Sequence, residues 1–215
     1  MKLLILIPCS SKKTKRGEME YHKTGQNGIV SSLSKGNGER LLELRKQVAL
    51  AFQYPPGPDL GFETDTALGF LEARRRYQGN LYRKITVDSW GKLEGTSESG
   101  LVIVSALYGL LNYDEPIRYY NRSMNEHIVP KVLLKTWWKR NSLTNVLLDY
   151  IRQNKVEEIH DFLSEDYRRA LANLSLCCRL LGVHYFPYSY KGLGVASDFR
   201  RGIDVNSLIQ SREPF

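Results

Sequence analysis

Four short stretches of this chain crowd together residue types that could do chemistry. The first is Pro8-Cys9-Ser10-Ser11-Lys12-Lys13, which places a thiol, two hydroxyls and two ammonium groups directly behind an apolar run. Hydroxyls and backbone amides at such a position can hold an anion or a base edge, and the lysines attract phosphate. Cys9 could be a nucleophile, but no base adjoins it in sequence, so the inert buried thiol takes precedence. The second runs from Ser105 through Tyr108, Gly109, Asp114, Glu115, Tyr119, Tyr120 and Asn121. Gly109 permits a sharp exit from a strand, tyrosines offer faces on which a base can stack, and carboxylate and amide groups stand in the same loop. The third is Ser164-Glu165-Asp166-Tyr167-Arg168. Ser164 suits a helix N-cap and the two acids suit a first turn, while Tyr167 belongs either to core or to pocket. The fourth is Tyr188-Ser189-Tyr190-Lys191-Gly192-Leu193-Gly194 with Asp198, Arg200 and Arg201. A glycine turn before a helix, with cations near it, can hold a phosphate.

Several familiar chemistries have no support. Three cysteines (Cys9, Cys177 and Cys178) form no CxxC pair, and no HExxH occurs, so no zinc site is expected. There is no GxxxxGK[ST] loop and no GxSxG elbow. His22, His127, His160 and His184 are scattered. No metal and no organic cofactor is expected.

These stretches need elements to position them. Lys2–Pro8 (KLLILIP) and Leu101–Ser105 (LVIVS) are continuous apolar runs, the pattern of strands buried on both faces. Val156–Leu163 and Val183–Tyr190 read as a third and a fourth strand. Residues 12–38 are polar and glycine-rich and read as a long loop. Glu39–Phe52 has helical spacing and stops before Pro55-Pro56-Gly57-Pro58. Residues 65–77 also read as helix. Residues 80–90 read as helix or edge strand, 91–100 as a connector and 126–152 as a long helical stretch. Residues 165–176 and the C-terminal segment read as helices too. Strands alternating with helices predict an α/β fold: residues 1–215 as a single domain, with a central, mostly parallel sheet flanked by helices. In such a fold ligands bind beyond the carboxyl ends of the strands, where all four stretches fall.

The chain has 215 residues and a formal net charge of +8, the pattern of a protein that meets a polyanion. Lys12, Lys13, Lys15, Arg16, Arg118, Arg122, Lys191, Arg200 and Arg201 follow strand ends, which predicts one basic groove. The sparse cysteines point to a reducing compartment. The apolar start is too short for a signal peptide and no run reaches the ~20 apolar residues of a membrane span. A cytoplasmic protein without membrane contact is expected.

Four of the motifs resemble those of known proteins. PCSSKK at 8–13 resembles a strand end of the archaeosine synthase core domain. SALYGLL at 105–111 with YYN at 119–121, LSEDYRRAL at 163–171 and YQGNLYRKI at 77–85 resemble segments of the YaaA-type peroxide-stress family and its small relatives. The resemblance implies a fold like that of uracil-DNA glycosylases, with DNA as partner and no obligatory protein partner. The expected activity is hydrolysis of the N-glycosidic bond of a flipped, modified base, in repair or phage defence. The expected catalytic groups are Asp114, Glu115 and Asn121. Cys9, Ser10, Ser11, Ser105, Tyr108, Gly109, Tyr120, Ser164 and Tyr167 would line the substrate pocket. Lys12, Lys13, Arg118, Arg122, Lys191, Arg200 and Arg201 would hold the nucleic acid. Two alternatives are a non-catalytic DNA-binding stress protein, and a base transferase or nucleoside N-glycosidase.

Overall fold

A computed structural model describes residues 2–22, 28–64 and 66–211. The apolar run at the start forms β1 (Leu3–Pro8), buried at all six positions. A strand without a polar face has to lie between two others under helices, and β1 does. It pairs in parallel with β4 (Ser99–Ser105) on one side and β9 (Glu158–Asp161) on the other. Beyond β9 lies β10 (His184–Pro187), again parallel. Beyond β4 lies β5 (Gly109–Asn112), which is antiparallel. The five strands run in the order β10-β9-β1-β4-β5.

Two smaller sheets sit beside this one. The first orders β2 (Met19–His22), β3 (Thr66–Glu72) and β6 (Pro116–Ile117) as β2-β3-β6. The second is the hairpin of β7 (His127–Val129) and β8 (Val132–Leu133). The helices are α1 (Lys35–Ala51), α2 (Ala73–Arg76), α3 (Asn80–Lys84), α4 (Val87–Glu94), α5 (Leu134–Arg140), α6 (Leu143–Gln153), α7 (Glu165–Ala170), α8 (Leu174–Leu180) and α9 (Ser197–Ser211). Helices α1 and α6 touch each other, as do α5 and α7, while α3 and α4 pack on α9. Their apolar faces and the sheet share one contiguous core. Among the described residues no helix is long and apolar enough to cross a membrane.

The structure differs from the sequence reading in four places. Residues 66–72 form β3 rather than helix, because pairing with β2 and β6 overrides local helix propensity. Residues 126–152 open with the β7–β8 hairpin, and Ser142 at φ 60° then separates α5 from α6. Asn173, also at φ 60°, splits the helix expected over 165–176 into α7 and α8. The loop expected over 12–38 contains β2 and the start of α1, and its residues 23–27 lie outside the described residues.

Candidate active site

The carboxyl ends of β1 and β4 carry the site, and the segment after β1 is pinned there by its backbone. Cys9 N–H donates to the Val104 carbonyl at 2.9 Å, Gln78 N–H to Lys12 at 2.8 Å, and Thr14 N–H to Arg76 at 2.8 Å. Lys13 forms an antiparallel bridge with Tyr77. The Arg76 guanidinium, fully buried, locks the arrangement from behind. Its Nη1 donates to the carbonyls of Thr14 (2.6 Å) and Arg16 (2.9 Å), and its Nη2 to those of Gly69 (2.7 Å) and Ile117 (3.0 Å). Helix α3 adds the Tyr82 hydroxyl, which donates to the Pro8 carbonyl at 2.9 Å.

In front of that frame stands a buried polar cluster. The Tyr77 and Tyr120 hydroxyls are 2.7 Å apart, and Ser105 Oγ is 2.9 Å from the Tyr120 hydroxyl. Cys9 Sγ lies 3.0 Å from the Tyr167 hydroxyl. Lys13 Nζ sits 4.2 Å above the Tyr120 ring and 5.8 Å from that of Tyr77. It is closed to solvent and makes no hydrogen bond among the described residues. Tyr77 and Tyr120 are each 1% exposed. Burial raises the hydroxyls of Tyr77, Tyr120 and Tyr167 well above the usual tyrosine range, so they stay neutral. Burial also lowers Lys13 below the ordinary lysine value. The cluster therefore offers neutral hydroxyl donors, a thiol and an amine whose ammonium form is disfavoured by burial.

Five of the expected pocket residues, Cys9, Ser10, Ser105, Tyr120 and Tyr167, lie here. Gly79 packs against Ser10, where an added Cβ would come within 2.4 Å of Ser10 Oγ. Ser11 and Lys12 are exposed beside them. Ser164 holds the N-cap position of α7, without a side-chain capping bond. Tyr108 departs from its expected role as a stacking wall. It is fully buried, and its hydroxyl donates to Asp59 Oδ2 at 2.7 Å.

Both expected catalytic carboxylates stand elsewhere. Gly109, at φ 73°, reverses the chain, so β5 runs back along β4 with Asn112 opposite Val102. Asp114 consequently lies towards the amino ends of the parallel strands, among Tyr113, Glu72 and Arg74, and burial raises its carboxyl. Glu115 is 1% exposed, 2.9 Å from Arg45 Nη1, and accepts the Ile29 N–H at 2.9 Å. It serves as structural glue. Asn121 is exposed, with its backbone N–H donating to the Tyr54 hydroxyl at 3.2 Å.

Several of the cations expected to form one basic groove are engaged within the fold. Lys13 faces the cluster. Arg118 is engaged by Asp59, with Nε 2.9 Å from Oδ2. Arg122 pairs with Glu126 at 2.9 Å and covers the Phe52 ring. Arg201 is buried over Tyr190 and bonds Asp198. Lys191 and Arg200 are exposed near α9, and Arg200 meets Asp204 at 2.9 Å. On the segments that frame the cluster, Lys12, Lys15, Arg16 and Arg75 are exposed.

Sequence reasoning missed Tyr77, Tyr82 and Arg76 as parts of the site. The YQGNLYRKI segment was the available signal, but its residues reach the stretch around Cys9 only through long-range contacts, with Tyr82 on Pro8, Gly79 on Ser10 and Tyr77 bridging Lys13. Among the described residues, no three or more His, Cys, Asp or Glu side chains are grouped to hold a metal ion.

Compared with known families, residues 3–212 match the one described as peroxide stress protein YaaA. No curated protein matches the chain.

Proposed function

The chain belongs to the peroxide stress protein YaaA family, and from that premise we propose that it acts on DNA, cutting the N-glycosidic bond of a base flipped into the cluster at the strand ends. The observation that carries this reading is Lys13. A solvent-shielded amine without a hydrogen bond among the described residues lies among neutral hydroxyls and a thiol, at the sheet edge where α/β folds bind ligands. Structural groups are rarely left so; perturbed, unsatisfied ones mark functional sites. The exposed cations Lys12, Lys15, Arg16 and Arg75 lie on the same segments and suit a phosphate backbone. A fold of uracil-DNA glycosylase type, with the archaeosine synthase core as a relative, fits this placement.

The chemistry follows from the groups present. A base within a duplex must leave the stack, at a cost of a few kcal/mol. Its departure leaves positive charge on the sugar and negative charge on the base. Hydroxyl donors such as those of Tyr120 and Ser105 suit the latter, each contributing roughly 2–4 kcal/mol when aimed at the developing anion. Membership of a peroxide-stress family narrows the modified base to an oxidised one and favours repair over phage defence.

A non-catalytic DNA-binding role is the second reading. It is favoured by the near-complete closure of Tyr77 and Tyr120, since a base can enter only if the packing around these rings opens. Purified protein would be incubated with duplex and single-stranded DNA carrying 8-oxoguanine, thymine glycol or no lesion, and with the free nucleosides. Alkali-labile sites in at least one oxidised DNA are expected. Tight DNA binding without such sites would replace the enzyme by the non-catalytic reading, and turnover of nucleosides alone would replace it by a nucleosidase.

A further inference from the structure

We infer that Lys13 is the nucleophile of this reaction, attacking the sugar C1′ and carrying the deoxyribose as a Schiff base. The inference rests on the base-removal reading and names the group that performs it. Asp114 and Glu115 are removed from the site by the antiparallel run of β5 and by the Arg45 pair. Of the groups that remain at the cluster, Lys13 and Cys9 are the nucleophiles. Cys9 Sγ is engaged with the Tyr167 hydroxyl. Lys13 Nζ has no hydrogen-bond partner among the described residues, so its lone pair, once uncharged, is not committed to a donor there.

Position supports the role as much as chemistry does. Lysine is normally a mobile side chain on the surface. Here the backbone is fixed on both sides of Lys13: Lys12 accepts from Gln78, Lys13 bridges Tyr77, and Thr14 bonds Arg76. The amine is thereby held over the ring of Tyr120 and shielded from solvent, where desolvation favours the uncharged, nucleophilic form.

The steps balance without any outside reagent. The lone pair of the amine forms the bond to C1′ as the C1′–N bond to the base breaks. The base leaves with that electron pair and takes up the proton lost by the amine. The amine and the departing base both stand at C1′, so that proton passes directly from one to the other. The glycosylamine then opens: the C1′–O4′ bond breaks, O4′ takes the remaining N–H proton, and C1′=N forms. Water restores the amine and releases an abasic aldehyde.

Borohydride tests this directly, since it reduces an imine to a stable secondary amine. The wild-type protein would be treated with borohydride in two mixtures: the oxidised-base DNA it cleaves, and DNA with preformed abasic sites. Peptide mass mapping would locate the adduct. The expected result is a covalent adduct on Lys13 in both mixtures. It should fall to background in Lys13→Arg and Lys13→Met, whose folding is checked by thermal melting. Base release with no adduct, or with the adduct on another lysine, overturns the inference and leaves the base-removal reading standing. An adduct on Lys13 with abasic DNA but no base release overturns the base-removal reading and, with it, the role of Lys13 as its nucleophile. Neither adduct nor base release overturns both.

Discussion

At the residue scale, the site is defined by which charges have partners. Glu115 and Arg45 are buried together, and Arg45 also donates to the carbonyls of Tyr108 (3.1 Å) and Leu110 (2.7 Å). Removing one member of such a pair strands the other. Glu115→Gln is expected to cost about 3 kcal/mol, read as a fall in the urea midpoint. Asp114 is the opposite case. Burial raises its carboxyl in the folded state, so its ionised form opposes folding once pH rises through that value. Asp114→Asn should therefore leave base release unchanged and not lower Tm at neutral pH. Lys13 follows the same logic with the other sign of charge. Cys9 and Glu126 favour its ammonium, but burial outweighs them and lowers its value. The unfolded chain then binds the extra proton, and stability rises with pH between the lowered value and that of free lysine, about 10.4. Lys13→Met should raise Tm at neutral pH, with a gain that shrinks towards pH 10. A melting series from pH 6 to pH 10 checks this, and a lower Tm for the variant at neutral pH would contradict it.

At the element scale, short helices place the cluster, and close packing places the helices. Helix α3 holds Tyr82 on the Pro8 carbonyl, and it lies against α9 at Gly202. A Cβ there would come within 2.4 Å of the Leu81 carbonyl oxygen and 2.8 Å of Lys84 Cβ. Backbone cannot swing aside as a side chain can. Gly202→Ala should cost about 1–3 kcal/mol by overpacking. It should also raise KM or lower the rate of base release, because the displaced helix carries Tyr82. Thermal melting together with the alkali assay checks both effects. The strands were the legible elements. The runs at 3–8 and 101–105 are unbroken and apolar because β1 and the later part of β4 are covered on both faces. Segment 66–72 was not legible, because its strand state comes from partners at 19–22 and 116–117. The direction of β5 was equally hidden: Gly109 signalled a sharp turn, and the pairing with β4 decided where it led.

At the scale of the whole molecule, the charge of +8 resolves into cations with different duties. Arg45, Arg76, Arg118 and Arg201 are bound to carbonyls or carboxylates inside the fold. Lys12, Lys15, Arg16 and Arg75 face solvent beside the cluster. If these four each neutralise one duplex phosphate, log Kd should change with log salt at a slope of magnitude about 3.6. Lys15→Gln with Arg16→Gln should reduce that slope by about 2, measured by fluorescence anisotropy. A slope unchanged by the pair would place the DNA on another face, such as that of Lys191 and Arg200. The sequence by itself determined the α/β class, the buried strands, the family's motifs and the edge at which Cys9, Ser105 and Tyr167 meet, because these follow from local pattern and the geometry of parallel sheets. The tertiary structure alone decided which polar residues are tied up and which are left free. Partnership is a matter of distance across the chain: Glu115 finds Arg45 seventy residues away, and Lys13 finds the face of Tyr120 without a hydrogen bond among the described residues.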